Sequence, residues 1–264
     1  MEQQRNPIIV TFANQKGGVG KTTLCACFAN YLVNKGVRVR VIDCDRQQSI
    51  VRCRRRDLKK YGESLLPYSI EGYPKLDRQL MKDIIGGIFT DSETEIVLFD
   101  CPGNMLEGWI IPLVGNTDHL VIPFHYDDVT IASSSEFIIL AEKINSSTGR
   151  TKPFCIYMIP NMQDKRVGTK DELSRWELTR ERYSRHGIIT PPIMRRADME
   201  RISTVSDLDM QMLIVKDSFD IIYQEIFQTS EALRPPMETL RCRTSPKHSP
   251  ERNQAEPAFT EGNQ

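Results

Sequence analysis

Two lysines enclose a glycine-rich turn in Lys16-Gly17-Gly18-Val19-Gly20-Lys21-Thr22-Thr23. Glycines at this density let successive backbone N–H groups turn inward and form a nest for an anion. The apolar run Ile8-Ile9-Val10-Thr11-Phe12-Ala13 precedes the turn, and a helical stretch from about Thr22 to Lys35 follows it. Strand, glycine turn and helix in that order make a phosphate-binding loop, with the helix directing its positive end at the phosphates. Lys21 would then reach the β- and γ-phosphates of a nucleotide, and the Thr22 hydroxyl would ligate Mg²⁺. The usual spacing G-x-x-x-x-G-K-[ST] needs a glycine at position 15. This chain has Gln15 there and opens the loop on Lys16.

Three aspartates stand where such a loop needs acids. Asp43 and Asp45 follow the strand-like run Val37 to Ile42, and Asp100 ends Glu95-Ile96-Val97-Leu98-Phe99-Asp100. In an open α/β sheet the carboxyl ends of the strands line the ligand crevice, so all three can face a nucleotide. The alternative is that each simply caps a loop or a helix.

The loop resembles the deviant Walker A box of the ParA/MinD family, and Asn14-Gln15 ahead of it fits the ParA branch. In that family the early lysine crosses a dimer interface to touch the partner's ATP, and Lys16 is the matching position. Asp43-Cys44-Asp45-Arg46-Gln47 is similar to the family's Asp-x-Asp-Pro-Gln box. The resemblance makes Asp45 the residue that orients and activates the attacking water, with Asp43 supporting Mg²⁺ and the loop. Arg46 replaces the box's proline, and Gln48-Ser49 stands where the family has Gly-Asn. Asp100-Cys101-Pro102 resembles the Walker B Asp-x-Pro, whose aspartate holds Mg²⁺ through water. Looser matches extend the resemblance over most of residues 7–205. Asn116 to Pro123 is similar to a family strand, Pro192 followed by Arg196 to a segment near the adenine, and Asn161 stands at a base-contacting position. The implied catalytic set is Lys16, Lys21 and Asp45. The implied nucleotide-binding set is residues 16–23 with Asn161 and Pro192, and the metal set is Thr22, Asp43 and Asp100.

These residues need a scaffold, and the rest of the chain supplies the pattern for one. Strand-like and helix-like segments alternate. Further strands are expected at His119 to Pro123 and Phe154 to Ile159. Helices are expected at about Ser49 to Tyr61, Lys75 to Phe89, Thr130 to Asn145, Lys170 to His186 and Phe219 to Leu233, with Gly36 closing the first helix. This alternation predicts an α/β fold: a doubly wound, mostly parallel sheet with helices on both faces. The organisation expected is a nucleotide-binding domain over 1–234 and a disordered Pro-rich tail over 235–264, where five prolines fall in 30 residues.

Lys+Arg and Asp+Glu number 35 each, so the chain as a whole supplies no attraction to nucleic acid and a local patch must do so. One candidate patch is Arg52, Arg55, Arg56 and Lys59 on one helix face; a second is Arg195, Arg196 and Arg201, with Lys216 further on. The seven cysteines are scattered singly, without metal-ligand spacing, which suits buried thiols in a reducing cytosol. No secretory leader and no membrane span is evident. Only a few residues precede the first strand, so no helix-turn-helix domain and no operator recognition are expected there. The resemblance implies a cytoplasmic ATPase that dimerises on ATP and binds DNA non-specifically on the nucleoid. It would position a plasmid, chromosome region or conjugative-element cargo and would answer to a ParB-like or other stimulating partner. Two readings stand beside it: a MinD-like membrane switch, which needs a basic amphipathic C-terminal helix, and a metabolic enzyme using the same loop.

Overall fold

The computed structural model describes residues 6–62, 66–103, 107–149, 154–164, 166, 168–205 and 209–228. Seven strands form one sheet: β1 (Ile8–Phe12), β2 (Val39–Asp43), β3 (Ser69–Gly72), β4 (Ile96–Asp100), β5 (His119–Phe124), β6 (Cys155–Pro160) and β7 (Ile188–Ile189). Their order is β3-β2-β4-β1-β5-β6-β7, and every pairing is parallel. The helices are α1 (Lys21–Asn34), α2 (Ser49–Tyr61), α3 (Arg78–Ile88), α4 (Ile110–Asn116), α5 (Asp128–Ser147), α6 (Lys170–Tyr183) and α7 (Asp209–Gln228), with a 3₁₀ turn at Ala197–Glu200.

The strands read as apolar runs because both faces are covered. Along β1 and β4, Ile9, Val97 and Phe99 enter one core with α3, α4 and α5, while Val10, Phe12, Ile96 and Leu98 enter another with α1 and α7. That second core holds an aromatic cluster in which Phe28 of α1 meets Phe219 of α7 edge-on at 4.9 Å. α1 ends in a Schellman closure. Gly36, at φ 78°, donates to Val33 O, and Val37 donates to Leu32 O.

The expected α/β doubly wound fold is therefore present, with a sheet that is wholly rather than mostly parallel. β3, α4 and β7 add elements beyond those expected. The last helix begins at Asp209 rather than near Phe219 and is described to Gln228; the tail expected over 235–264 lies outside the described residues. Neighbouring strands β1 and β4 send the chain to opposite sides of the sheet, which puts the topological switch point between their carboxyl ends. A ligand crevice is expected at such a point.

Candidate nucleotide site

The loop after β1 opens at this switch point. Asn14 is fully buried, and its side-chain amide donates to Pro123 O (2.8 Å) and Ser134 Oγ (2.7 Å), while its Oδ1 accepts from Lys16 N–H. The loop is thereby pinned to β5 and α5 before it turns. Gly18 (φ 79°) and Gly20 (φ 92°) hold left-handed conformations that side-chain-bearing residues rarely adopt. Gly20 has a second reason to be glycine, since a Cβ there would lie 2.2 Å from Asn161 Nδ2. That amide donates to Val19 O at 2.8 Å. On the opposite side, a Cβ on Gly103 would come within 3.0 Å of the Gly17 backbone. The loop is thus held between the end of β6 and the turn after β4.

Lys21 begins α1, and its ammonium donates to Lys16 O at 2.9 Å, closing the loop on itself. Burial draws its pKa down, with the negative charge of Asp100 opposing most strongly. Lys16 itself is half-buried, Gly17 and Gly18 are exposed, and Thr22 and Thr23 are half-buried. The phosphate-facing backbone is open at its crest.

The three aspartates separate into different situations. Asp43 and Asp100 are register partners on adjacent strands, and both are fully buried. Asp43 accepts from Asp45 N–H (3.1 Å), Ile50 N–H (3.0 Å) and Val51 N–H (3.3 Å), so it holds the start of α2. Burial raises its pKa, and these backbone donors oppose the rise. Asp100 has no such donors. The Thr22 hydroxyl is close enough to favour its charged form but outside hydrogen-bond geometry, so both carboxylate oxygens are buried without a partner among the described residues. Burial first, and the Asp43 charge second, push the Asp100 carboxyl from 3.8 up to about 8. Asp45 is half-buried at the rim, accepting Gln47 N–H at 2.8 Å. The following Gln48 stands at φ 51°, and its amide donates to the Asp43 and Asp45 carbonyls, locking the turn. Arg46 reaches across to Glu107 (2.8 Å), which also accepts from Trp109 Nε1.

Among the described residues no group of three His, Cys, Asp or Glu side chains could hold a metal. A Mg²⁺ ion does not need one, because it takes one or two protein ligands and completes its shell with phosphate oxygens and water. The orphaned Asp100 carboxylate beside the Thr22 hydroxyl fits that habit. Thr22 and Asp100 are therefore brought together, and Asp43 is drawn away to α2.

Clefts flank the loop on both sides. One of about 730 Å³ is lined by Asp45, Arg46, Gln47, Pro102, Gly103 and Glu107. The other, about 710 Å³, is lined by residues including Asn161, Met162, Gln163, Trp176 and Arg195. Asn161 and Arg195 thus share a cleft, whereas Pro192 is half-buried and outside its lining. The expected second basic patch divides. Arg195 joins this cleft, while Arg201 precedes Ile202, whose carbonyl accepts from Arg56 of α2 at 2.6 Å. Arg196 is exposed at the start of the 3₁₀ turn between them.

Six of the cysteines are described, all free and five of them buried; Cys242 lies outside the described residues. No described helix is long and apolar enough to cross a membrane.

A glycine loop at the switch point of a parallel sheet, with a buried lysine at the head of α1 and an unpartnered acid on the adjoining strand, defines a P-loop nucleotide-binding protein. The family model for the CobQ/CobB/MinD/ParA nucleotide binding domain matches residues 10–216, and the chain belongs to that family. No curated protein sequence matches it. Among solved structures it is similar to a putative plasmid partition protein of Borrelia burgdorferi bound to AMPPNP, with 20% identity, a TM-score of 0.62, and 85% of this chain and 99% of that one covered. It is similar also to the MinD cell division protein of Aquifex aeolicus (17% identity, TM-score 0.56, 88% and 100% covered). A third is cobyrinic acid a,c-diamide synthase of Mycobacterium smegmatis with a bound ATP analogue and magnesium (16% identity, TM-score 0.62, 83% and 95% covered). At these identities the likeness is one of fold.

Proposed function

We propose that this chain is a Mg²⁺-dependent, slowly turning-over ATPase of the ParA type. Its ATP-bound form dimerises and holds DNA without sequence preference to partition or position a cargo, and a ParB-like or other partner stimulates hydrolysis. The observation that carries the catalytic part is the Asp100 carboxylate, buried without a partner beside Thr22 and Lys21. Such a group costs folding free energy unless a ligand completes it.

The backbone N–H groups of residues 17–22 receive the phosphates, and the Lys21 ammonium exchanges its bond to Lys16 O for phosphate oxygens. Thr22 and Asp100 hold Mg²⁺, which when bound neutralises charge on the β- and γ-oxygens. Asp45, at the rim of the cleft, orients the attacking water and takes its proton. Asp43 keeps α2 and the Asp45 turn in place rather than meeting the metal. The adenine end takes the Asn161 side. Lys16, half-buried at the loop's entrance, is placed to reach a second protomer's nucleotide.

A membrane role finds less support. α7 carries Lys216 as its one cation against Asp209, Asp217, Asp220 and Glu225, and it buries Val215, Phe219, Ile222 and Ile226 in the core. A membrane-lying helix needs those apolar residues free and a basic opposite face. The test is nucleotide and DNA binding with ADP, ATP and a non-hydrolysable analogue at two salt concentrations. Sequence-indifferent, salt-sensitive DNA binding that needs ATP is expected. Absence of measurable affinity for ATP with magnesium overturns the proposal.

A further inference from the structure

Six Lys and Arg side chains fall within Arg52 to Lys60, and α2 sorts them into two groups. Arg54 is buried. Its guanidinium donates to Thr204 Oγ1 (2.9 Å), Thr204 O (2.9 Å) and Tyr68 O (2.8 Å), and it lies over the Tyr68 ring. Asp57, also buried, accepts from Thr204 N–H at 2.6 Å and Thr204 Oγ1 at 3.0 Å. With Ile50 and Cys53, these residues form the face that fixes α2 to the body. Arg52, Arg55, Arg56, Lys59 and Lys60 are all exposed. At 3.6 residues per turn they occupy one continuous arc opposite the buried face, about 12 Å long.

The exposed arc contains no acid. Among the described residues, the one carboxylate within 4.0 Å of any of the five cations is buried Asp57, 3.6 Å from Arg56. Arg52 and Arg56 otherwise donate to the carbonyls of Gln47 and Ile202. The Ile202 contact brings exposed Arg201 to the edge of the same surface. A chain with 35 cations and 35 anions has thus gathered a single-sign patch onto a rigid helix.

We propose that the outer face of α2, with Arg201 at its edge, is the surface that grips the phosphate backbone of duplex DNA. This rests on the DNA-binding reading above and assigns its location, to α2 rather than to Arg195 and Arg196. Charge complementarity names the partner class: five fixed cations suit a polyanion with regularly spaced phosphates. A lipid surface fits less well, because Ile50 and Cys53 of α2 are buried and Tyr61 is the one large apolar side chain the helix exposes, too little to enter a bilayer. The helix is also placed rigidly relative to the nucleotide, since its first turn hangs on the Asp43 carboxylate.

The test uses the full chain with a non-hydrolysable ATP analogue and a labelled duplex, titrated from about 50 to 250 mM salt. The variant Arg55→Gln/Lys59→Gln/Lys60→Gln removes exposed charges only, and unchanged analogue affinity and melting temperature verify that it is folded. Loss of three phosphate contacts reduces the slope of log K against log salt by about 3 and weakens binding on the order of 100-fold at 0.1 M salt. The matched variant Arg196→Gln, exposed and outside the nucleotide cleft, keeps the wild-type slope. An unaltered slope in the α2 variant, with the loss appearing in Arg196→Gln, overturns this surface and leaves the DNA-binding ATPase intact. A wild type that ignores DNA in every nucleotide state, or that sediments with anionic phosphatidylserine vesicles instead, overturns both.

Discussion

The substitution Asp100→Asn should stabilise the protein while abolishing its use of metal. The Asp100 carboxyl is raised from 3.8 to about 8 by burial, and by the neighbouring Asp43 charge. In the unfolded chain the group ionises near its ordinary value, so between about pH 4 and pH 8 the folded state keeps a proton that the unfolded state has lost. The sign follows. Stability conferred by this group is fully present below pH 4 and is lost as pH rises through that window, because the unfolded state binds fewer protons there. Each pH unit is worth about 1.4 kcal/mol, so by pH 7 the cost is about 4 kcal/mol, an upper figure because buried sites relax. Asparagine keeps the shape and removes the charge. Metal- and nucleotide-free Asp100→Asn should therefore melt on the order of 10 °C above wild type at pH 7.5 and show a shallower fall between pH 5 and pH 7.5. Adding ATP with Mg²⁺ should raise the melting temperature of wild type and leave the variant unmoved. Scanning calorimetry at the two pH values decides it. An asparagine variant that melts at or below wild type at pH 7.5, or that follows the same pH slope, refutes the idea that Asp100 is held as a burdened carboxyl awaiting a cation.

Asp45→Ala should retain ATP binding, slow turnover by roughly 10²–10⁴-fold as expected for loss of a general base, and accumulate the ATP-bound dimer; phosphate release and light scattering check both, and wild-type turnover removes its assigned role. Gly20→Ala forces a Cβ to 2.2 Å from Asn161 Nδ2 at φ 92°, so it should displace the Asn161–Val19 bond and cost about 2 kcal/mol or more together with nucleotide affinity. Calorimetric titration with ATP reads the affinity directly. Asp57→Ala removes a buried carboxylate whose charge helps offset that of buried Arg54 and strips Thr204 N–H of its acceptor, for a loss of about 3 kcal/mol in urea unfolding.

How much of this was legible in the sequence depended on how local each feature is. β1, β4, β5 and β6 declared themselves because strands covered on both faces are uninterrupted apolar runs. α2 was readable to the residue, its amphipathic pattern bounded by Gly62. β3 was not, since an edge strand spelled Ser69-Ile70-Glu71-Gly72 is half-exposed and offers no apolar run. α4 carries Pro112 and Gly115 in seven residues, contrary to helix propensity, and forms because Ile110, Leu113 and Val114 are buried. α7 was shortened because its first turns, from Asp209 on, mix charges with apolar residues until the strongly apolar positions near Phe219.

The phosphate loop was legible because its parts are consecutive. Its supports were not. Asn161 to Val19, Gly103 against Gly17, and Arg54 to Thr204 join positions that only the sheet order brings together, and nothing in their local spacing points to the partner. The same holds for the basic residues. Helical spacing leaves Arg54 off the face of Arg52, Arg55, Arg56 and Lys59, but only the packing of α2 shows that it bonds to Thr204 and Tyr68 in the interior while Arg201 joins the exposed set.

Asp43 and Asp100 make the argument sharpest, since they are register partners with the same side chain, the same burial and the same position at a strand end. What separates them is the chain that follows. After Asp43 the turn through Gln48 delivers three N–H groups to the carboxylate, so its charge is spent on fixing α2. After Asp100 comes Cys101-Pro102-Gly103, in which proline has no N–H to give and Gly103 lies against the loop crest instead. One acid is thereby satisfied by the protein, and its neighbour is left without a hydrogen-bond partner among the described residues. The Asp43 charge makes the buried Asp100 carboxyl harder to ionise, and the Asp45 charge acts on Asp43 in the same sense. A divalent cation bound there would offset that charge and give Asp100 a partner, so binding at the loop should also tighten the sheet end that carries α2.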